Sequence, residues 1–464
     1  MYLEDELPYS LKDPESIESY AQNLIGKKAH QALGNMIIKE GNKGGLGQVI
    51  EEQYFYLKNN SDSEPDFKEA GVELKVTPLK KNKNGTYSAK ERLVLNIINY
   101  IEVYKEEFET SSFLKKNSLI LLIYYLYEEE LYISEYVIKF AQLFQFPEKD
   151  LKIIRDDWNT IVNKIKEGKA HEISEADTNY LAACTKGANK YSKRKQPFSD
   201  IMAQQRAFSL KQSYMTSILN EYLLQGKKTY ADSLIKDTGE LKNRTFEDFV
   251  LGKISQYAGM SVGDLAKMFS VEGNPEAKNY ASMVADSIIL NILGVQSDKI
   301  EEFEKANIKI KSIRIDKTDK IKEHMSFPTF KFKEIINEVW ETSTLREMFL
   351  NTRFLFVIYR FDSNDVLRLE KGMFWNMSYN NLENDVKKVW KQTVETIKSG
   401  IKIIKKSGNR EFNNLPNPSA NRVSHVRPHA QNKNDTYPLP TGGEFPKQCF
   451  WLNNSYILEQ VTGK

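Results

Sequence analysis

The chain has 464 residues, 40% of them hydrophobic and 28% charged, with two cysteines and a net charge of +3. At roughly 100–200 residues per domain, that length holds two to four domains. The composition excludes a collagen, a disordered chain and a disulfide scaffold. The small net charge hides basic stripes. Residues 184–214 carry seven Lys or Arg against Asp200 alone, and residues 75–92 carry six against Glu91. Residues 1–20 carry six acids and one lysine. A basic stripe is most often a solvated face, but it is also the electrostatic footprint of a polyanion partner.

In chain order, the acidic start has no basic flank or apolar core, so no secretory signal is expected. A helical segment covers residues 47–57, and residues 71–77 alternate as a strand. The apolar run at 118–127 (SLILLIYYLY) is about half a membrane span and reads as a buried strand. Leu151, Ile154, Trp158, Ile161 and Ile165 have helical spacing, and residues 208–219 close the first half. Residues 226–244 are polar and charged. The stretch 405–448 holds six of the 14 prolines and is expected to be largely loop. Strands with covering helices predict an α/β fold, or α+β with a mixed sheet. Two cysteines suit a reducing cytoplasm.

The chain also repeats itself. FKEAGVELK (67–75) resembles FEKANIKIK (303–311), and FETSSFL (108–114) resembles WETSTLR (340–346). Trp158 and Gly168 match Trp390 and Gly400, and AFSLKQSYMTSIL (207–219) matches CFWLNNSYILEQV (449–461). The matches keep one order at similar offsets. Two related domains are therefore expected, residues 1–228 and 246–464, joined by a linker at 229–245.

The sharpest chemical signal is Pro65-Asp66 followed by Glu73-Leu74-Lys75. Glu73 and Lys75 are two apart on the predicted strand and share a face. Two carboxylates can hold Mg²⁺ with water-filled positions left open. The ion polarises a phosphodiester and acidifies a bound water, and a lysine offsets the charge that develops on phosphorus. The plain alternative is an amphipathic strand with a solvated face. In the second half Lys309 stands opposite Glu73, Lys311 opposite Lys75, and Glu302 near the place of Asp66. A carboxylate exchanged for lysine holds no metal. The first half therefore reads as catalytic, and the second as a binding domain.

Five segments carry a wider resemblance: KGGLGQVIEE (43–52), PDFKEAGVELK (65–75), FETSSFLKK (108–116), CTKGAN (184–189) and RAFSLKQSYMTSIL (206–219). With SAKERLVLNIINY (88–100) and LENDVKKVW (382–390), they resemble the MutH/Sau-three-A family of GATC-specific endonucleases. That family holds mismatch-repair nickases and type II restriction enzymes. The duplication and length are closer to the restriction enzymes. The resemblance implies two tandem restriction-endonuclease-like (MutH-like) domains. It also implies Mg²⁺-dependent cleavage of double-stranded DNA at GATC, 5′ to the G, in a bacterial cytoplasm. Asp66, Glu73 and Lys75 fall on the family's catalytic triad, with Asp66 and Glu73 as metal ligands. Glu51 falls on a further acidic residue, and Lys116 on a lysine reaching the site from a neighbouring strand. Lys186, Gly187, Ala188 and Asn189 fall on the loop that enters the major groove. Arg206 and Lys211 fall on a segment supporting DNA contact. Where MutH carries Arg-Pro-Lys, this chain reads Thr185-Lys186-Gly187.

In the second half, SHVRPH (424–429) and FWLNNSY (450–456) occupy the corresponding places. Arg427, His429 and Asn453 are its candidate DNA contacts, Arg427 as a bidentate donor to guanine. By analogy this half binds a second GATC site as an effector, or supports a homodimer on looped DNA. No partner in a membrane is expected. A MutH-like nicking enzyme and a non-catalytic DNA-binding protein are the alternatives. His425 and His429 have no third ligand in sequence, so loop histidines or DNA contacts are expected. Cys184 and Cys449 read as semi-buried thiols. Residues 41–47 read as a helix entry placing Glu51, because no Gly-Lys-Ser/Thr follows.

Overall fold

The computed structural model describes residues 7–33, 45–58, 64–187, 191–224, 226, 228, 230–272, 280–406 and 410–463. The chain forms two compact units, Met1–Phe246 with Ser297–Asn307, and Glu247–Gln296 with Ile308–Lys464. This differs from the expected linker. Leu234, Ile235 and Leu241 are buried in the first unit. Segment Ser297–Asn307 returns to that unit because Glu302 accepts hydrogen bonds from the Leu234 and Ile235 amides (2.8 and 3.2 Å) and forms an ion pair with Lys149 (2.7 Å). Glu302 is thus engaged in the first unit, not placed as a ligand in the second.

In the first unit, helix α1 (Pro14–Gln22) starts at an Asp13 cap, with Pro14 in the first turn. Helix α2 (Gly45–Val49) continues as a π-helical turn, Ile50–Tyr54. Strands β1 (Glu73–Lys81) and β2 (Tyr87–Ala89) follow, then β3 (Leu93–Ile97) and helix α3 (Ser112–Asn117). The next strands are β4 (Ile120–Leu126) and β5 (Ile138–Phe144), followed by helix α4 (Glu148–Lys166). Strands β6 (Leu181–Thr185), β7 (Lys193–Gln196), β8 (Ser199–Gln204) and β9 (Arg206–Leu210) lead to helix α5 (Gln212–Ile218).

The main sheet has the order β2-β1-β4-β5. β4 runs parallel to β1, with Glu73 opposite Ile120 and Lys75 opposite Leu122, and antiparallel to β5. Ile120 to Tyr124 are all buried, which explains the apolar run: this strand is covered on both faces. A second, antiparallel sheet is β3-β9-β6. Of the predicted stripe on α4, Ile154, Trp158, Ile161 and Ile165 are buried and Leu151 is half-buried. Asp157 on the same helix is also buried and accepts from the Asn179, Tyr180 and Leu181 amides, anchoring the start of β6.

The second unit contains helix α6 (Tyr280–Leu293), β10 (Ile308–Ile315), β11 (Met325–Phe330), α7 (Thr344–Asn351), β12 (Arg353–Phe361), β13 (Leu367–Trp375) and α8 (Lys387–Ser399). Strands β14 (Ile403–Lys406), β15 (Arg410–Asn413), β16 (Ser424–Pro428), β17 (Thr436–Pro438), β18 (Glu444–Pro446) and β19 (Gln448–Leu452) precede helix α9 (Asn454–Thr462). β10 runs parallel to β12, which runs antiparallel to β13, the same pattern as β1-β4-β5. The sheet β11-β19-β16 is antiparallel, like β3-β9-β6. Ser343 caps α7 after the turn Trp340–Thr342, as Ser111 caps α3 after Phe108–Thr110. Trp158 and Trp390 are both core residues, as expected.

More than half of the described residues of 405–448 are loop, as expected, but the stretch is not without strands. It holds short antiparallel pairs, β14 with β15 and β17 with β18, and the strand β16. Pro428, Pro438 and Pro446 each end a strand, where a missing N–H interrupts the ladder least.

Candidate active site

The site in the first unit begins with a tight hairpin. Phe67 N donates to Val72 O (2.9 Å), and Val72 N donates to Phe67 O (3.2 Å). Gly71, with φ +67°, supplies the left-handed turn. The hairpin brings Asp66 back beside Glu73. The Asp66 amide donates to Glu73 Oε2 (3.2 Å), and the Leu74 amide donates to Asp66 Oδ2 (2.9 Å). Lys75, two residues along β1, donates its Nζ to Glu73 Oε1 (2.6 Å).

Glu73 is 1% exposed. Burial raises its pKa, and Lys75 opposes the rise. Lys116 Nζ lies 3.7 Å from Glu73 Oε2 and donates to the Glu64 carbonyl (3.0 Å). Lys116 therefore reaches the site as expected, but from the end of helix α3, not from a strand. Glu51 sits on the π-helical turn. Gly47, one turn before Glu51, packs over β1, where a Cβ would make an ordinary contact with Val76 Cβ at 3.6 Å. Burial, then the charge of Asp66, pushes the Glu51 carboxyl up to about 7. Glu73 raises it further and Lys75 lowers it. The structure thus gathers Glu51, Asp66, Glu73, Lys75 and Lys116 around one point.

Mutually repelling, partly buried carboxylates are the donor set that a hard divalent cation relieves. Among the described residues no group of three or more His, Cys, Asp or Glu is arranged to hold a metal ion by itself. Asp66 and Glu73 would therefore hold the ion with water and a phosphate oxygen completing its shell.

The predicted DNA contacts divide. Lys186 is exposed just beyond β6, its amide bonded to Gln205 O (2.7 Å), and Gly187 follows it. Ala188 and Asn189 lie outside the described residues. Arg206 and Lys211 are 3% and 4% exposed. Arg206 donates to the carbonyls of Ala183 (2.6 Å) and Ile173, and Lys211 to that of Thr178 (2.5 Å). They brace β6 and β9 from inside and do not present charge to a duplex. The charge run nearby is open to solvent: Lys193, Arg194 and Lys195 are exposed on β7, beside exposed Tyr191 and Phe198. This hairpin falls outside the motifs that carry the family resemblance, and its KRK triplet is the sequence signal that marks it.

In the second unit Arg427 is exposed, its guanidinium 5.2 Å from the Trp451 ring centre, and the exposed His429 ring meets the same indole edge-on at 5.5 Å. Asn453 is buried. It donates to Asn421 O (2.7 Å) and pairs with His425 Nδ1 (2.6 Å), so it holds structure and not a base. His425 lies within β16, not in a loop, and burial pushes its pKa down to about 4. Cys184 and Cys449 are buried free thiols, fully so and not partly. At the register of Glu73 and Lys75 stand Lys309 and Lys311, and Met348 takes the place of Lys116.

The family of the DNA mismatch repair enzyme MutH matches residues 55–157. The type II restriction enzyme Sau3AI of Staphylococcus aureus is 41% identical over 485 residues, 96% of this chain and 98% of that protein. The chain belongs to the MutH/Sau3AI family of endonucleases. A second relative, the DNA mismatch repair protein MutH of Shewanella woodyi, is 28% identical over 221 residues, 46% of this chain and 94% of that protein. The MutH match spans Asp66, Glu73, Lys75 and Lys116 but stops short of Glu51. Among the described residues no helix is long and apolar enough to cross a membrane.

Proposed function

We propose that the chain is a type II restriction endonuclease that cuts double-stranded DNA at GATC, 5′ to the G, with Mg²⁺. The observation that carries this reading is the asymmetry between the units. Asp66, Glu73, Lys75 and Lys116 converge in the first, while Lys309, Lys311 and Met348 occupy the positions of Glu73, Lys75 and Lys116 in the second. Mg²⁺, when bound, supplies Lewis acidity at the scissile phosphate. Asp66 and Glu73 hold it. Lys75 orients the attacking water and offsets charge on the pentavalent phosphorus, while the water's proton passes to solvent. Lys116 balances Glu73. The water oxygen bonds to phosphorus as the bond to the 3′ oxygen breaks.

The second unit, on this reading, is a MutH-like domain that binds a second GATC site through Arg427 and His429 and favours cleavage by the first, including as a homodimer on looped DNA. Lys186 and the β7–β8 hairpin serve the first unit's duplex. The test is plasmid digestion by the purified chain with Mg²⁺ and no other protein. Linear fragments ending at GATC support the reading. Nicked circles alone favour a MutH-like nickase, and intact plasmid a DNA-binding protein without chemistry.

A further inference from the structure

The second unit has a cleft along β10, the strand that corresponds to β1. A cavity of about 600 Å³ runs beside this end strand of its sheet, bordered by β11, α6 and α9. Its charged groups are not equivalent. Arg314 is paired with Glu323 (3.0 Å), and Asp316 is occupied by the Thr318 hydroxyl (2.7 Å) and the Lys320 amide (3.1 Å). The Lys311 ammonium, at the register of Lys75, forms no hydrogen bond or direct ion pair with any described residue, although the residue is only partly exposed. Burial lowers its pKa, and Asp286 on α6 opposes that. Lys322 on the rim is exposed and likewise forms no ion pair with a described residue. His324 Nδ1 accepts from the Asn454 amide (3.0 Å), which leaves the proton on Nε2 as a donor. Ser326 also lines the cavity.

An ammonium group held partly out of water, with Asp286 near it but not in direct ion-pair contact, is further stabilised by an oxyanion. Two lysines, an imidazole N–H and a hydroxyl form a donor set for a phosphodiester. The exchange of Glu73 for Lys309 removes the need for a bridging cation. We propose that this cleft grips a backbone phosphodiester of the second duplex directly, without a metal ion, with Lys311 as its principal cation. The proposal rests on reading the second unit as a DNA-binding domain. Asp286 works against the bound phosphate and sets the affinity below its maximum.

The test titrates the full chain with a short GATC duplex in EDTA, by calorimetry, at several salt concentrations. The wild type takes up two duplexes. Lys311→Gln weakens one of the two binding events about tenfold and lowers its salt slope by about 0.9, as expected when one phosphate is no longer neutralised. Asp286→Asn tightens the same event, which a folding defect cannot do. If both variants bind as the wild type does, or if the second duplex binds only after Mg²⁺ or Ca²⁺ is added, the cleft assignment falls. If the wild type takes up a single duplex, the DNA-binding reading of the second unit falls with it.

Discussion

Glu51 is the residue whose environment predicts most. Burial and the charge of Asp66 push its carboxyl up to about 7, well above the ordinary carboxylate range. A raised carboxyl pKa favours folding fully below its unfolded value, and the benefit is lost as pH rises through the folded value. Without metal, Glu51→Gln should therefore raise the unfolding temperature at pH 8 and leave it unchanged at pH 4, by differential scanning calorimetry. With metal the sign reverses, because an ion competes with the proton. Mg²⁺ affinity should rise between pH 6 and pH 8, and Glu51→Gln should flatten that rise in a direct binding titration. His425 moves the opposite way. Its depressed pKa means stability is lost as pH falls from about 6.5 towards 4. His425→Gln should reduce the acid lability of the chain in a pH series of thermal melts. At this scale charge and polarity mislead most easily. The family resemblance suggests DNA contacts at Arg206, Lys211 and Asn453, but each is satisfied by a backbone carbonyl from a distant segment, which no local spacing reveals.

At the scale of elements, the returning segment Ser297–Asn307 is held by charge inside the first unit. Lys305 donates to Asp150 Oδ2 (2.9 Å) and Glu301 Oε1 (2.8 Å), with all three groups buried. Burial alone would drive the proton from Lys305, but Asp150 and Glu301 more than offset it and hold its pKa up. Lys305→Met leaves Asp150 without its cation and should cost about 3–5 kcal/mol in urea unfolding, with Asp150→Asn in the same chain recovering part of it. The β7–β8 hairpin makes a separate prediction. Replacing Lys193, Arg194 and Lys195 with Gln should weaken binding to DNA of any sequence. It should also lower the salt slope by about 0.9 for each phosphate no longer neutralised, measured by fluorescence anisotropy. The main strands and α4 are legible in sequence because Ile120 to Tyr124 and the Trp158 stripe carry their burial in local periodicity. The strands at 403–446 are not, since they are short and proline-marked, and long-range pairing, not their own composition, defines them.

For the whole molecule, duplication is readable because four segment pairs keep their order, and β10-β12-β13 follows β1-β4-β5 in strand direction. The second unit's part in cleavage should appear as faster cutting of plasmids with two GATC sites than with one. Equal rates would remove the effector role and leave the chemistry of the first unit intact. The central claim is that Asp66, Glu73 and Lys75 perform Mg²⁺-dependent hydrolysis at GATC. The most direct measurement is end-mapped digestion of a sequenced plasmid by wild type and Glu73→Ala. The wild type should leave ends 5′ to the G of GATC. Glu73→Ala should cleave about three orders of magnitude more slowly while still binding DNA. Undiminished cleavage by Glu73→Ala would contradict the claim.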